Sequence, residues 1–122
     1  MRIASILENQ NIEKRIAITP EIAKKYIALG FEISLTTKYG EHLGFKDSEY
    51  KDLGVEISSN ETEILSKANI IIQLGLLSDE NLSNLKENQT LIGVLNPYAN
   101  KEKIENLSKK NINVFSLEML PR

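Results

Sequence analysis

The sequence predicts an α/β fold of three layers, built on a central, mostly parallel sheet. Three observations carry that prediction. Apolar runs of strand length, rich in β-branched residues, recur along the 122 residues, and several are apolar throughout, as buried parallel strands are. Amphipathic segments with capping signals separate them. The two kinds of segment alternate, which is the pattern of right-handed crossovers between parallel strands.

The first strand is expected over Ile3 to Leu7. A polar segment, Glu8 to Asn11, follows it. Arg15 then stands between two short apolar runs, just ahead of a helix start. Thr19 suits the cap, Pro20 the first helical position and Glu21 the positive end of the dipole. Ile22, Ala23, Tyr26, Ile27 and Leu29 form one helical face, and Gly30 closes the helix. The second strand is Phe31 to Thr36. Asp47 is the expected cap of a short helix through Leu53, stopped by Gly54. Asn60 and Glu63 have the spacing of a capping box for Glu61 to Ala68, which would bury Ile64, Leu65 and Ala68. Ile70 to Leu74 is the third strand. Ser78 caps a helix carrying Leu82 and Leu85, and Leu91 to Leu95 is the fourth strand. Asn100 caps a helix carrying Ile104 and Leu107, and Val114 to Leu117 is the last strand. There is no internal repeat, low-complexity tract or linker.

Composition excludes several classes of function. A net charge of −2 and a pI near 5.5 leave no electrostatic footprint for nucleic acid. The absence of cysteine rules out disulfides, a thiol nucleophile and a zinc–thiolate site, and it fits a reducing compartment. No clustered His or carboxylate ligands suggest a metal site. No apolar run approaches the roughly 20 residues that span a bilayer, and the start, Met1-Arg2-Ile3-Ala4-Ser5, reads as a strand and not a signal peptide. A cytoplasmic chain is the expectation. Neither G-x-G-x-x-G nor a phosphate-binding loop occurs, so the chain lacks the turn that cradles a pyrophosphate.

Few residues invite chemistry by type alone. An Arg held just before a helix cap is well placed to meet an anion, although a surface Arg in a loop is the plainer reading of Arg15. Gln73 ends a buried strand at the carboxyl edge of the sheet, where open α/β folds bind ligands; a structural amide with its bonds satisfied fits equally well. Asn96, before Pro97, lies at the same edge and is equally ambiguous. His42 is the single histidine and sits in a Gly-flanked stretch, Gly40-Glu41-His42-Leu43-Gly44, typical of a solvated turn. Glu61, Glu63, Asp79, Glu80 and Glu87 read as solvated helix faces.

Five blocks add a resemblance. They are Glu13 to Glu21 (EKRIAITPE), Gly40 to Gly54 (GEHLGFKDSEYKDLG), Ala68 to Leu74 (ANIIIQL), Leu91 to Asn100 (LIGVLNPYAN) and Leu117 to Arg122 (LEMLPR). In this order and spacing the whole chain resembles the N-terminal part of the alanine dehydrogenase and pyridine nucleotide transhydrogenase family. The closing Glu-Met-Leu-Pro-Arg is similar to the version in transhydrogenase alpha subunits, as is the pair Pro97 and Asn100. The resemblance implies a flavodoxin- or Rossmann-like N-terminal domain without the Gly-rich fingerprint, with the dinucleotide-binding domain expected downstream of residue 122. On that reading residues 1–122 are one incomplete domain, inactive and poor at binding NAD by themselves.

The same resemblance implies roles by position. Arg15 matches the basic residue that binds the carboxylate of pyruvate in alanine dehydrogenases, a task for which a two-bonded guanidinium is suited. Gln73 falls where the family usually carries a Lys, and Asn96 where alanine dehydrogenases carry a His acid/base. Neutral amides cannot transfer those protons, so both departures count against an amino-acid dehydrogenase. No residue of the chain is expected to be catalytic. Arg122 matches the first Arg of the loop that faces the nicotinamide. The implied function is that of the N-terminal segment of a proton-translocating NAD(P) transhydrogenase alpha subunit, which moves hydride between NAD(H) and NADP(H). The cofactors implied are NAD and NADP. The implied partners are the rest of the alpha subunit and membrane-embedded subunits, in a homodimeric assembly peripheral to the inner membrane. Two other readings stand beside it: a fragment of alanine dehydrogenase or a related lysine-pathway dehydrogenase, and a non-catalytic α/β binding module. Arg15, Gln73 and Asn96 are expected to meet in one cleft at the carboxyl edge of the sheet.

Overall fold

The computed structural model describes residues 1–8, 15–94 and 100–116. Within them six strands, β1 (Arg2–Ser5), β2 (Glu32–Thr36), β3 (Glu56–Ser58), β4 (Ile70–Gln73), β5 (Thr90–Gly93) and β6 (Asn113–Ser116), form one sheet in the order β3-β2-β1-β4-β5-β6. Every pairing is parallel. The helices are α1 (Pro20–Ala28), α2 (Asp47–Asp52), α3 (Glu61–Lys67), α4 (Asp79–Ser83) and α5 (Lys101–Lys109), with a short 3₁₀ turn at Glu41–Leu43. This is the doubly wound order, whose direction reverses between β1 and β4.

The sheet has one strand more than the sequence suggests. The extra strand, β3, is three residues long and carries a single large apolar residue, Ile57, so it has no run to detect. It is held at the sheet edge by its register with Ser34–Thr36 of β2. At the amino end, Arg2 ties these strands together through ion pairs to Glu32 at 3.1 Å and Glu56 at 2.7 Å. The other strands start or stop within two residues of the expected positions; the expected ends Leu95 and Leu117 lie outside the described residues.

Side chains alternate across the strands and build two cores. Ala4, Ile71 and Leu91 point to one face and pack with Ile64 and Leu65 of α3, Leu82 of α4 and Leu107 of α5. Ile3, Ile33 and Leu35 point to the other and pack with Ala23 of α1 and Tyr50 of α2. Burying apolar area on both faces of a parallel sheet is what demands helices on both faces, and it gives the expected three layers.

The caps follow local chemistry in most places. Thr19, Asn60 and Ser78 accept hydrogen bonds from the backbone N–H groups of Ile22, Glu63 and Asn81. Asn100 stands at the N-cap position of α5. Two details differ from expectation. Lys46 occupies the cap position of α2, because both carboxylate oxygens of Asp47 accept the backbone N–H of Lys38 at 2.9 and 3.0 Å. Lys38 has a φ of +62°, and Asp47 pins that turn. The box at α3 is half made: Glu63 reaches forward to Lys67 at 2.8 Å, while the N–H of Asn60 donates to Ser58.

Candidate functional site at the carboxyl edge

The backbone ladder between β1 and β4 ends early. It pairs Ile3 with Ile70 and Ala4 with Ile71, while the ladder to β2 continues to Ser5 and Leu35. Beyond that point the strands part, and side chains take over the pairing. Oε1 of Gln73 accepts the N–H of Ile6 at 2.7 Å, and its Nε2 donates to the carbonyl of Ile6 at 3.1 Å. On the other flank Oγ1 of Thr36 accepts the N–H of Leu7 at 2.9 Å. Glu8 then crosses to the loop after β4, where its carboxylate accepts the N–H groups of Leu74 at 3.0 Å and Gly75 at 2.5 Å. A side chain at position 75 would crowd this contact, since a Cβ there would lie 3.3 Å from Oε1 of Glu8. The result is a cleft of about 450 Å³ at the switch point, lined among others by Ile6, Leu7, Glu8, Gln73, Gly75 and Ser78.

A buried polar chain runs from this cleft to the loop before α1. Oγ of Ser5 donates to Oε1 of Gln73 at 2.8 Å. The Ser5 proton being so engaged, Tyr39 Oη, 2.8 Å from the same oxygen, is the donor to it. Tyr39 Oη in turn accepts the N–H groups of Ala17 at 3.1 Å and Ile18 at 3.2 Å. Tyr50 grips the same segment from its other side, donating to the carbonyl of Ile18 at 2.9 Å. The two tyrosine rings meet edge to face, with centroids 6.2 Å apart. Burial pushes the Tyr39 hydroxyl up to about 12, against the opposing pull of its hydrogen bonds, and raises that of Tyr50 as well. Both phenols therefore remain protonated donors at neutral pH.

The expected site residues fall as follows. Gln73 is almost fully buried, at 2% exposure, and both ends of its amide are bonded. It serves as a structural splint while also lining the cleft. Arg15 is exposed and begins the loop whose Ala17 and Ile18 are tied to Tyr39. Two Cα steps separate it from Ala17, at most about 7.6 Å. Asn96, Pro97 and Arg122 lie outside the described residues. His42 is exposed on the 3₁₀ turn. Ser5, Glu8 and Tyr39 carry no motif that marks them in the sequence, and Tyr50 falls within the block Gly40 to Gly54 without a role attached to it. The available signal is Ser5, a polar residue inside an apolar strand.

The fold is one that this chain shares with a solved protein, and its sequence is similar to known families along its length. A family model described as "Alanine dehydrogenase/PNT, N-terminal domain" matches residues 6–122. The chain belongs to that family. Within the family, its sequence is 37% identical over 126 residues to an NAD(P) transhydrogenase alpha-subunit chain of Rickettsia prowazekii, covering all of this chain and 33% of the relative. It is 24% identical over 120 residues to an alanine dehydrogenase of Halomonas elongata, covering 98% of this chain and 32% of that protein. The crystal structure of a transhydrogenase from Sinorhizobium meliloti superposes with a TM-score of 0.88 at 26% identity, covering 98% of this chain and 36% of the other. The chain thus spans about a third of the length of each of these three proteins, and the transhydrogenase alpha subunit is nearer in sequence than the alanine dehydrogenase. No helix among the described residues is long and apolar enough to cross a membrane.

Proposed function

We propose that this chain is the N-terminal part of a transhydrogenase alpha subunit, within an assembly that passes hydride between NAD(H) and NADP(H) and couples the transfer to proton movement through membrane-embedded partners. The observation that carries this reading is the similarity to the transhydrogenase alpha subunit along the whole chain, at higher identity than to the alanine dehydrogenase. The chemistry of the described residues is compatible with it. Gln73, which stands where the family resemblance implies a Lys, is locked by three hydrogen bonds and transfers no proton. Hydride passed directly between two nicotinamides needs no protein acid or base.

The residues at the switch point do not fit a dinucleotide pyrophosphate. No Gly-rich turn follows β1, and the N–H groups of Leu74 and Gly75 are occupied by Glu8, an anion in the place of an anion. On this reading, the pyrophosphate of NAD belongs to a domain other than this one. This domain contributes the wall of the cleft, with Arg15, Gln73 and Asn96 as the substrate pocket and Arg122 as the start of the loop facing the nicotinamide. The assembly is peripheral to the membrane and dimeric.

The test is a chimera. Residues 1–122 replace the matching third of the Rickettsia prowazekii subunit, which is assembled with its other subunits and assayed for hydride transfer from NADH to an NADP analogue. Transfer is the expected result. A folded chimera that instead reduces NAD in the presence of L-alanine, or that transfers no hydride at all, overturns the assignment.

A further inference from the structure

We propose that Tyr39 is the positioning residue for Arg15: its hydroxyl fixes the loop before α1 against the carboxyl edge of the sheet, so that the guanidinium meets an anionic ligand group from a preset backbone. The inference rests on the reading of Arg15 as a ligand-binding residue, and adds to it how that residue is held in place.

The geometry points to Tyr39 in three ways. Its oxygen is the shared acceptor for two successive N–H groups, Ala17 and Ile18, the second and third residues after Arg15. Such a double contact fixes the direction of the chain as well as its distance. Its proton goes to Ser5, whose own proton goes to Gln73. The loop is thereby referenced to the wall of the cleft and not only to the helix it precedes. The ring is 1% exposed and packed edge to face on Tyr50, so the hydroxyl has no freedom to follow a moving loop. A guanidinium on a long side chain gains from this arrangement, because the fewer backbone states it samples, the less order must be imposed when an anion binds.

The experiment is a double-mutant cycle read by ligand binding. Pyruvate and NADH are titrated separately into the chimeric alpha subunit described above, because residues 1–122 by themselves are expected to bind NAD poorly, and the two arms distinguish a carboxylate from a dinucleotide phosphate as the source of the anion. Wild type, Arg15→Ala, Tyr39→Phe and the double variant are compared at a temperature well below every Tm. Wild type is expected to saturate with at least one probe. Arg15→Ala and Tyr39→Phe should each weaken that Kd, Tyr39→Phe by about five- to tenfold. The double variant should bind no more weakly than Arg15→Ala alone, because Tyr39 acts through Arg15. Leu82→Ala, in the core of the opposite face, sets the scale for a lowered Tm with Kd unchanged. Should Tyr39→Phe not fold, Ser5→Ala, which keeps the ring and removes the acceptor of its proton, asks the same question in milder form. Tyr39→Phe behaving like Leu82→Ala, or adding its full effect to that of Arg15→Ala, overturns the proposal while Arg15 stands. Wild type that binds neither probe, or Arg15→Ala that binds as tightly as wild type, overturns the reading of Arg15 itself and the positioning role with it.

Discussion

Gln73 closes both ends of its amide on one residue, Ile6, accepting from its N–H at 2.7 Å and donating to its carbonyl at 3.1 Å. The side chain of one strand thus imitates a strand backbone, beyond the point where the ladder between β1 and β4 is lost. Parting strands at a switch point leave buried peptide groups without neighbours, and such groups need partners. Gln73 supplies them, which explains why a polar residue ends an otherwise apolar strand.

Gln73→Leu keeps the volume and removes every polar contact. The buried N–H and carbonyl of Ile6 then lose their partner, and the Ser5 hydroxyl loses its acceptor while keeping the bond from Tyr39. The expected cost is about 2–4 kcal/mol, read as a fall in Tm of roughly 10 °C or more by circular dichroism. A change of only a degree or two would show that Gln73 is not the splint between these strands.

The fold is legible where the signal is local. Buried parallel strands announce themselves as apolar runs, and Thr19, Asn60 and Ser78 cap helices three residues away. Asp47 departs from its expected cap because its partner, the N–H of Lys38, lies nine residues upstream, across a turn that no local rule places. The site is legible only in part. The edge rule for open sheets puts Gln73 at the switch point, but Tyr39 has partners 34 residues away at Ser5 and 22 and 21 away at Ala17 and Ile18. A contact made across the fold leaves no spacing to read. The strand β3 is invisible for a different reason: its three residues hold one large apolar side chain, and its pairing with β2 does the rest.

Alkaline stability should depend on Tyr39. Burial raises its hydroxyl from 10.0 to about 12 in the folded chain, so the folded state holds this proton more tightly than the unfolded state. The contribution is complete below pH 10 and is lost as pH rises from 10 towards 12, with a slope approaching about 1.4 kcal/mol per pH unit. Tyr50 is raised in the same direction and adds to the fall. Urea unfolding between pH 9 and 12 should show a decline that is shallower in Tyr39→Phe, although that variant starts lower at neutral pH. Equal slopes in the two proteins would refute the linkage.

Gly40 is required by crowding and not by its dihedral angles, since its φ is −110°. A Cβ at this position would lie 2.9 Å from Cβ of Phe45 and 3.0 Å from Oη of Tyr50. Gly40→Ala must therefore push Tyr50 off the carbonyl of Ile18 or shift Phe45, at a cost of about 1–3 kcal/mol. In a Tyr50→Phe background the hydroxyl is gone, while Cε2 of the ring, 3.3 Å from the added Cβ, stays. The penalty for Gly40→Ala, measured by urea unfolding, should shrink there; an undiminished penalty would show that the Tyr50 hydroxyl is not what crowds the site.

The last prediction concerns Arg122 and the transhydrogenase reading. On that reading, Arg122 opens the loop over the nicotinamide, where a cation shifts the balance between the charged and neutral forms of the ring. In the assembled chimera, Arg122→Ala should slow hydride transfer from NADH by about tenfold, which corresponds to about 1.4 kcal/mol of barrier. A role at the cofactor predicts that Tm stays within about a degree of the parent, as for a surface substitution away from a core. That pairing of outcomes separates a role at the cofactor from a role in folding. Transfer that proceeds unchanged removes Arg122 from the site. Transfer lost together with a large fall in Tm assigns the residue to the fold instead.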